Sequence, residues 1–323
     1  MAAYRLRKNS PDMSIAITER GNELEKRVCP ASKNNTCVHC KICSITSGYA
    51  GAGAFSDGKF NLGTAYGGTL GEELGDDTAN LYIDEVDKIL NEYCTSGLPK
   101  VFKSNDELRL KCIQNNLRLL DMNVKHLGTD NNYITMQNLI AAIRASGSGL
   151  YSFYDCIDIK KQDGNYVLNY ANGEVFEAKN IIIATGRSGA NFVSEFCKSN
   201  GVKMRSNHID IGVRVEMKDI IWREFSSKIY EPKILYKTKT FEDRCRMFCF
   251  NQGGLVSAEN NHGIITANGH SYAQAEKKTD NCNFAILSSI RFTEPFNQPT
   301  EYAENISRLA NMIGNGNVIV QRF

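Results

Sequence analysis

The sequence predicts a two-domain α/β protein, and three observations carry that prediction. Two short isoleucine-bearing runs, Ser14–Thr18 and Asn180–Ala184, have the length and apolar character of strands buried in a parallel sheet. Three strand-like segments between Tyr151 and Ala178 are separated by turn signals, as in a meander. From His208 onward strand-like pieces dominate, which sets a β-rich half against an α/β half.

Composition narrows the class. A chain of 323 residues has room for one or two domains. With 42% hydrophobic and 23% charged residues it can bury an ordinary globular core. Lys+Arg number 38 and Asp+Glu 36, a net charge of +2, which argues against a polybasic nucleic-acid binder. No run of about 18 apolar residues is present, so no membrane span is expected. Met1–Arg20 lacks the apolar centre of a secretory signal. Eleven cysteines, an odd number scattered through the chain, read as reduced cytoplasmic thiols or metal ligands rather than a disulfide framework.

Each element follows from local chemistry. Met1–Asn9 reads as the end of a helix, stopped by Ser10-Pro11-Asp12. The Ser14–Thr18 strand ends at Glu19-Arg20-Gly21. A cysteine-rich loop, Cys29–Cys43, and a glycine-rich stretch, Gly48–Gly71, are too irregular for continuous helix or strand. Asp77–Tyr93 is amphipathic and predicts a helix; Lys103–Asn123 predicts a helix followed by a strand. Thr135–Ala145 places Met136, Leu139, Ile140 and Ile143 at helical spacing. Strands are expected at Tyr151–Lys160, Tyr166–Tyr170 and Val175–Ala178, joined through Asp163-Gly164 and Asn172-Gly173. Phe192–Asn200 reads as a helix. Further strands are expected at Ile209–Val215, Lys233–Thr238, Met247–Asn251, Ile264–Ala267 and Asn283–Ile290, and a late helix at Glu301–Met312.

Chemistry enters at the end of the first strand. A carboxylate there, Glu19, suits a vicinal diol, as does the acidic residue that takes the ribose hydroxyls in dinucleotide-binding folds. An exposed strand-end glutamate is the plainer reading. The strand and G-x-G-x-x-G turn that should stand some 20 residues earlier have no room before Glu19. Gly51-Ala52-Gly53-Ala54-Phe55-Ser56 imitates that turn, but no buried strand precedes it and no clear helix follows, so it is not a pyrophosphate loop. The sharpest local feature is Cys29-x7-Cys37-x2-Cys40-x2-Cys43. Four thiolates in fifteen positions suit a tetrahedral zinc site, and the C-x2-C-x2-C run suits an iron–sulfur cluster, although the spacing is the standard order of neither. Redox-active thiols and plain reduced cysteines remain open alternatives.

Taken in order, these pieces resemble a known family. Strand-Glu19-Arg20-Gly21 is followed by Cys40-Lys41-Ile42-Cys43-Ser44-Ile45-Thr46-Ser47-Gly48, running into Gly51–Lys59. Ile181-Ile182-Ile183-Ala184-Thr185-Gly186, Asp210-Ile211-Gly212-Val213-Arg214 and Asn268-Gly269-His270 come next. The chain resembles the uncharacterised FAD-dependent dehydrogenases of the glutathione-reductase-type FAD-binding fold. The resemblance implies an FAD/NAD(P)-binding Rossmann-like three-layer domain, its first strand missing, with a mixed, β-rich inserted substrate domain. It implies boundaries at 1–60 and 135–200 for the FAD-binding domain, 61–134 for a helical insertion and 201–323 for the substrate domain. The glycine fingerprint and a last FAD-contacting segment are missing, so a fragment clipped at both ends is expected.

The resemblance also implies roles. Glu19 would hold the adenosine ribose, and Arg20 and Arg27 would lie near the pyrophosphate, although each also reads as a surface arginine. Cys156 would offer a backbone contact to adenine, and the Ala184-Thr185-Gly186 turn would close over FAD. Gly51, Ala52 and Gly53 would support the flavin ring, Ser56 and Asp57 would bond its edge or the substrate, and Lys59 would stabilise charge on reduced flavin. His270 would serve as acid or base, its other reading being a structural hydrogen-bonder. The implied activity is hydride transfer to or from flavin N5 with substrate and redox partner unknown. The competing readings are a non-catalytic fragment and a zinc or iron–sulfur module on Cys29, Cys37, Cys40 and Cys43. Interleaved aromatic and basic residues at Tyr230–Lys239 and Arg244–Phe250 also admit base stacking, which the near-neutral charge disfavours.

Overall fold

The computed structural model describes residues 1–31, 37–261, 263–272, 274–293, 295 and 298–322, so part of the Cys29–Cys43 loop (32–36) lies outside the described residues. The protein is mixed α/β. In chain order it begins α1 (Ala2–Asn9), β1 (Ala16–Glu19), β2 (Lys59–Asn61), α2 (Leu70–Leu74), α3 (Asp76–Tyr93), β3 (Val101–Phe102) and α4 (Asp106–Gln114). Then come β4 (Arg118–Leu119), β5 (Val124–His126), α5 (Thr129–Ala145), β6 (Gly149–Ser152), β7 (Cys156–Gln162), β8 (Asn165–Tyr170), β9 (Val175–Ala178) and α6 (Ala190–Ser199). The last part holds β10 (Ile209–Lys218), α7 (Asp219–Lys228), β11 (Ile234–Lys237), β12 (Arg244–Asn251), β13 (Leu255–Asn261), β14 (Ile264–His270), β15 (Asn281–Ile290) and α8 (Pro299–Ile313). Among the described residues no helix is long and apolar enough to cross a membrane.

The chain divides into two compact units. Unit 1 comprises Met1–Ala54, Leu139–Arg205 and Asn260–Ile264; unit 2 comprises Phe55–Asn138, Ser206–Glu259 and Ile265–Phe323. Residues 61–134 therefore fall in unit 2 together with most of the β-rich half, and α5 begins in one unit and ends in the other.

In unit 1, β1 pairs in parallel with β6, from Ala16 opposite Gly149 to Glu19 opposite Ser152. β7, β8 and β9 form the antiparallel meander. Asp163 and Gly164 both adopt positive φ (50° and 85°), the twist a two-residue hairpin needs. The Ile181–Ala184 run does not form the second buried strand the sequence predicts. It belongs to no sheet, and Ile182 is 66% exposed. Apolar character alone does not make a strand: its backbone groups need a ladder partner, and the β1–β6 sheet ends at two strands.

In unit 2, β10-β15-β12-β11-β4 form an antiparallel sheet in that order. One face carries the core: Val215, Ile234, Met247, Phe250, Cys282 and Phe284, packed with Leu108 and Cys112 of α4. Asn105 caps α4, its side chain accepting from the Leu108 N–H at 3.0 Å, and Trp222 and Phe225 of α7 join the cluster. At Gly212 an added Cβ would stand 1.8 Å from the Ile286 carbonyl oxygen, so β10 and β15 approach as only glycine permits.

Candidate functional site

In unit 1 the geometry centres on the carboxyl end of β1. The Glu19 Oε1 accepts from the Gly21 N–H at 2.8 Å and from the Gly48 N–H at 3.0 Å. A Cβ on Gly21 would collide with Gly48 N at 2.5 Å, and one on Gly48 with Arg27 Cδ at 2.5 Å, so both glycines are required by packing. Tyr154 N–H donates to the Glu19 carbonyl and Phe153 N–H to that of Gly21, tying the segment before β7 to the end of β1. The guanidinium Nε of the next residue, Arg20, is buried and donates to no group among the described residues.

Arg27 is placed otherwise than a pyrophosphate ligand requires. It is buried and donates to four carbonyls: Ser44 at 2.9 Å, Ile45 at 2.7 Å, Tyr49 at 2.6 Å and Gly51 at 2.8 Å. A fork of fixed donors thus shapes the loop between the cysteine and glycine stretches. Beyond that clamp, Ala52–Phe55 forms a 3-10 turn. An added Cβ on Gly51 or Gly53 meets nothing within 4 Å, and the same holds at Gly186 in the exposed Ala184-Thr185-Gly186 turn. Cys156 opens β7, its thiol directed at the Asp158 carbonyl at 3.6 Å and its pKa raised by burial.

The metal expectation finds no support among the described residues. Among the described residues no group of three or more His, Cys, Asp or Glu is placed to hold a metal ion. Cys40 is exposed, Cys37 accepts from Asn260 Nδ2 at 3.6 Å, and Cys43 turns the chain, its carbonyl accepting from Thr46 and Ser47 N–H. Sequence spacing alone does not make a metal site; the fold has to bring the sulfurs together.

Unit 2 assembles a buried polar network that spacing could not reveal. Lys59 Nζ contacts Asp57 Oδ2 at 3.0 Å, Glu231 Oε2 at 2.9 Å, Asn251 Oδ1 at 3.1 Å and the Phe250 carbonyl. Its three N–H donors face four acceptors, so none is left over for an incoming ring. Burial works against the charge, but Asp57 and then Glu231 outweigh it and hold the ammonium pKa well above its ordinary value. His126 stacks on Tyr230 with centroids 4.0 Å apart, and its Nε2 is 2.7 Å from the Tyr230 hydroxyl, which lies 2.9 Å from Ser271 Oγ. Asp57 Oδ2 is 3.8 Å from the same ring nitrogen. Burial lowers the His126 pKa to about 4, with Asp57 opposing, so the ring is neutral at pH 7. Burial raises the Tyr230 pKa. Ser56 is exposed and its Oγ accepts from Gly58 N–H at 3.2 Å. His270 ends β14; its Nδ1 is buried with no hydrogen-bond partner among the described residues, and burial lowers its pKa. His126, Tyr230, Glu231 and Ser271 were missed by the sequence reading because they meet only in the fold; Tyr230 and Glu231 entered it solely as part of a basic-aromatic stretch.

The basic groups of that stretch are taken up inside the fold. Lys233 lies over the rings of Tyr66 and Phe248, and Arg246 over Phe248 while paired to Asp210.

No family model matches the chain. It is 24% identical over 318 residues to an uncharacterized protein of Clostridium beijerinckii, covering 93% of this chain and 52% of that protein. The chain thus spans about half the length of that curated relative. Among solved structures it is similar to glycine oxidase from Geobacillus kaustophilus, at 11% identity and a TM-score of 0.40 over 97% of this chain and 90% of that one. It is also similar to 2,6-dihydroxypyridine-3-hydroxylase from Arthrobacter nicotinovorans, at 10% identity and a TM-score of 0.32 over 65% and 54%. A putative FAD containing monooxygenase from Photorhabdus luminescens gives 9% identity and a TM-score of 0.28 over 70% and 57%. At such values function has to be read from the chain's own residues.

Proposed function

We propose that this chain is the flavin-binding part of an FAD-dependent oxidoreductase of the dehydrogenase type. The observation that carries the reading is the pair Glu19 and Arg20 at the carboxyl end of a strand in parallel pairing. That is the end at which open parallel sheets bind nucleotides. A carboxylate fixed by two glycine N–H groups is oriented to accept from a ribose diol. A buried guanidinium Nε without an acceptor among the described residues is the donor a pyrophosphate oxygen would satisfy. The open space beside Gly51, Gly53 and Gly186 lets backbone approach a flat ligand. The residues present therefore fit FAD.

In this reading Glu19 binds the ribose and Arg20 the pyrophosphate, with Cys156 and Ala184-Thr185-Gly186 at the adenosine end. Arg27 acts at one remove, holding the loop that carries Gly48 and Gly51. Gly51, Ala52 and Gly53 support the ring. FAD supplies the hydride chemistry when bound. In unit 2, taken by itself, Lys59 fixes Asp57 through their ion pair rather than donating outward, and the buried His270 Nδ1 has no hydrogen-bond partner among the described residues.

The test is the visible absorbance spectrum of the purified chain after incubation with FAD and desalting. Flavin bands are expected, and Glu19→Gln is expected to weaken FAD about tenfold, the worth of one charge-assisted hydrogen bond. A colourless wild-type protein overturns the reading.

A further inference from the structure

The polar face of the five-stranded sheet holds a lysine that the flavin reading does not use. Leu235 stands opposite Arg246 in register, so two residues earlier Lys233 falls opposite Phe248. Side chains two apart on paired strands project from one face, which puts Lys233, Phe248 and Arg246 together. Lys233 is only 4% exposed. Its Nζ lies 4.4 Å from the Tyr66 ring centre and 4.3 Å from that of Phe248, and it has no ion pair among the described residues. Glu231, two residues away, is committed to Lys59. Removal from water favours the neutral amine, and ring faces stabilise the ammonium less than a carboxylate would. Burial lowers its pKa to about 8, with Glu231 and Cys249 opposing and Lys59 and Arg246 assisting.

A second observation on the same ring points to a ligand. The Arg246 guanidinium lies 5.6 Å from the Phe248 centre and pairs with Asp210 through Nη2. Its Nε is buried and donates to nothing among the described residues. Buried donors in folded proteins are nearly always satisfied, and with Nη2 held by Asp210 the unused Nε suits one oxygen of a ligand carboxylate. Tyr66, the cover on the other side of the amine, sits beside Gly67 and Gly68, both at positive φ (120° and 80°), in a loop without regular structure.

We propose that Lys233 and Arg246 form a site for a 2-oxo acid, Lys233 condensing with the ketone carbon and Arg246 binding the carboxylate. The neutral Nζ adds to the carbonyl carbon, forming the C–N bond. The carbinolamine then loses both amine protons and the former carbonyl oxygen as water, leaving an imine. No electrons are gained or lost, and the step reverses on hydrolysis. The site stands whether or not the chain holds a flavin.

The experiment treats the whole chain near pH 8 with pyruvate and cyanoborohydride, in parallel with acetaldehyde and cyanoborohydride, and maps modified lysines by peptide mass spectrometry. Lys233 is expected to take up the carboxyethyl group at least about tenfold faster than the exposed Lys160, whose amine has no such burial. The ratio of pyruvate to acetaldehyde labelling is expected to be higher at Lys233 than at Lys160, and Arg246→Gln is expected to abolish that excess. Labelling of Lys233 no faster than Lys160 overturns the proposal. So does a pyruvate preference equal at the two lysines in the wild-type chain, a result that does not depend on any variant folding.

Discussion

At the scale of single residues, burial and hydrogen-bond saturation decide roles that residue type leaves open. Arg27 and Arg20 have the same side chain and lie seven positions apart. One spends its guanidinium on the Ser44, Ile45, Tyr49 and Gly51 carbonyls; the other keeps a buried Nε without a partner among the described residues. Arg27→Met keeps much of the volume but strands those four carbonyls. Leaving buried acceptors unpaired costs about 1–3 kcal/mol each where water cannot reach them, so a loss of about 3 kcal/mol overall is expected. Arg27→Lys is expected to fail as a rescue, since a single ammonium cannot present donors in the plane and directions the four carbonyls require. Amide hydrogen exchange checks this directly: protection at Thr46, Ser47 and Tyr49 should fall in both variants while that of β7–β9 stays. Unchanged protection at those three amides would show that the loop is shaped by something else.

At the scale of elements, what was legible in the sequence was whatever a few adjacent residues could enforce. The Asp163-Gly164 hairpin and the α4 helix with its Asn105 cap carry their instructions locally. The Ile181–Ala184 run does not, because a strand exists only with its partner. The cysteine cluster fails for a related reason: ligand spacing constrains a metal site only where the fold brings the sulfurs together. The Lys59–His126–Tyr230 network was invisible because its members come from positions 57, 59, 126, 230, 231 and 271. The glycines of the resemblance motifs, by contrast, have an element-level cause. Gly212 lets β10 approach β15, and at Gly269 a Cβ would stand 2.2 Å from Asn283 Oδ1 and 2.3 Å from Arg214 Nη2. Gly212→Ala must push the strands apart where Gly212 faces Leu287, at a cost of about 1–3 kcal/mol, the range for overpacked cores. A lowered urea midpoint together with faster exchange at Val213 and Ile286 would establish it. An unchanged midpoint would mean that the ladder yields without cost.

At the scale of the whole molecule, the buried ionisable groups set how stability depends on pH. His126 has a folded pKa of about 4 against an ordinary 6.5. Between those values the unfolded chain takes up a proton that the native chain refuses. Stability is therefore complete above about pH 6.5 and falls as pH drops toward 4, by about 3 kcal/mol from this ring alone. His270, lowered in the same direction by burial, steepens that slope. Lys233 acts in a second window. Its folded pKa of about 8 lies below the ordinary 10.5, so below pH 8 the native state must bury a charge that the unfolded state carries freely in water. Raising pH from 8 toward 10.5 removes that penalty, again by about 3 kcal/mol, until the buried tyrosines reverse the trend. Tyr49, Tyr66 and Tyr230 have pKa values raised by burial, so above pH 10 the unfolded chain ionises first and stability falls. The expected profile of Tm against pH has an acid limb below 6.5, a flat region to about 8 and a rise before the alkaline loss. His126→Gln should flatten the acid limb and leave the alkaline rise, and Lys233→Met should do the reverse. A wild-type profile flat from pH 4 to 6.5 would mean that the imidazole is not held neutral in the core. The stacked, hydrogen-bonded arrangement on Tyr230 would then not be the native one. A missing alkaline rise would mean that Lys233 keeps its proton, and the amine would lose the reactivity its burial confers.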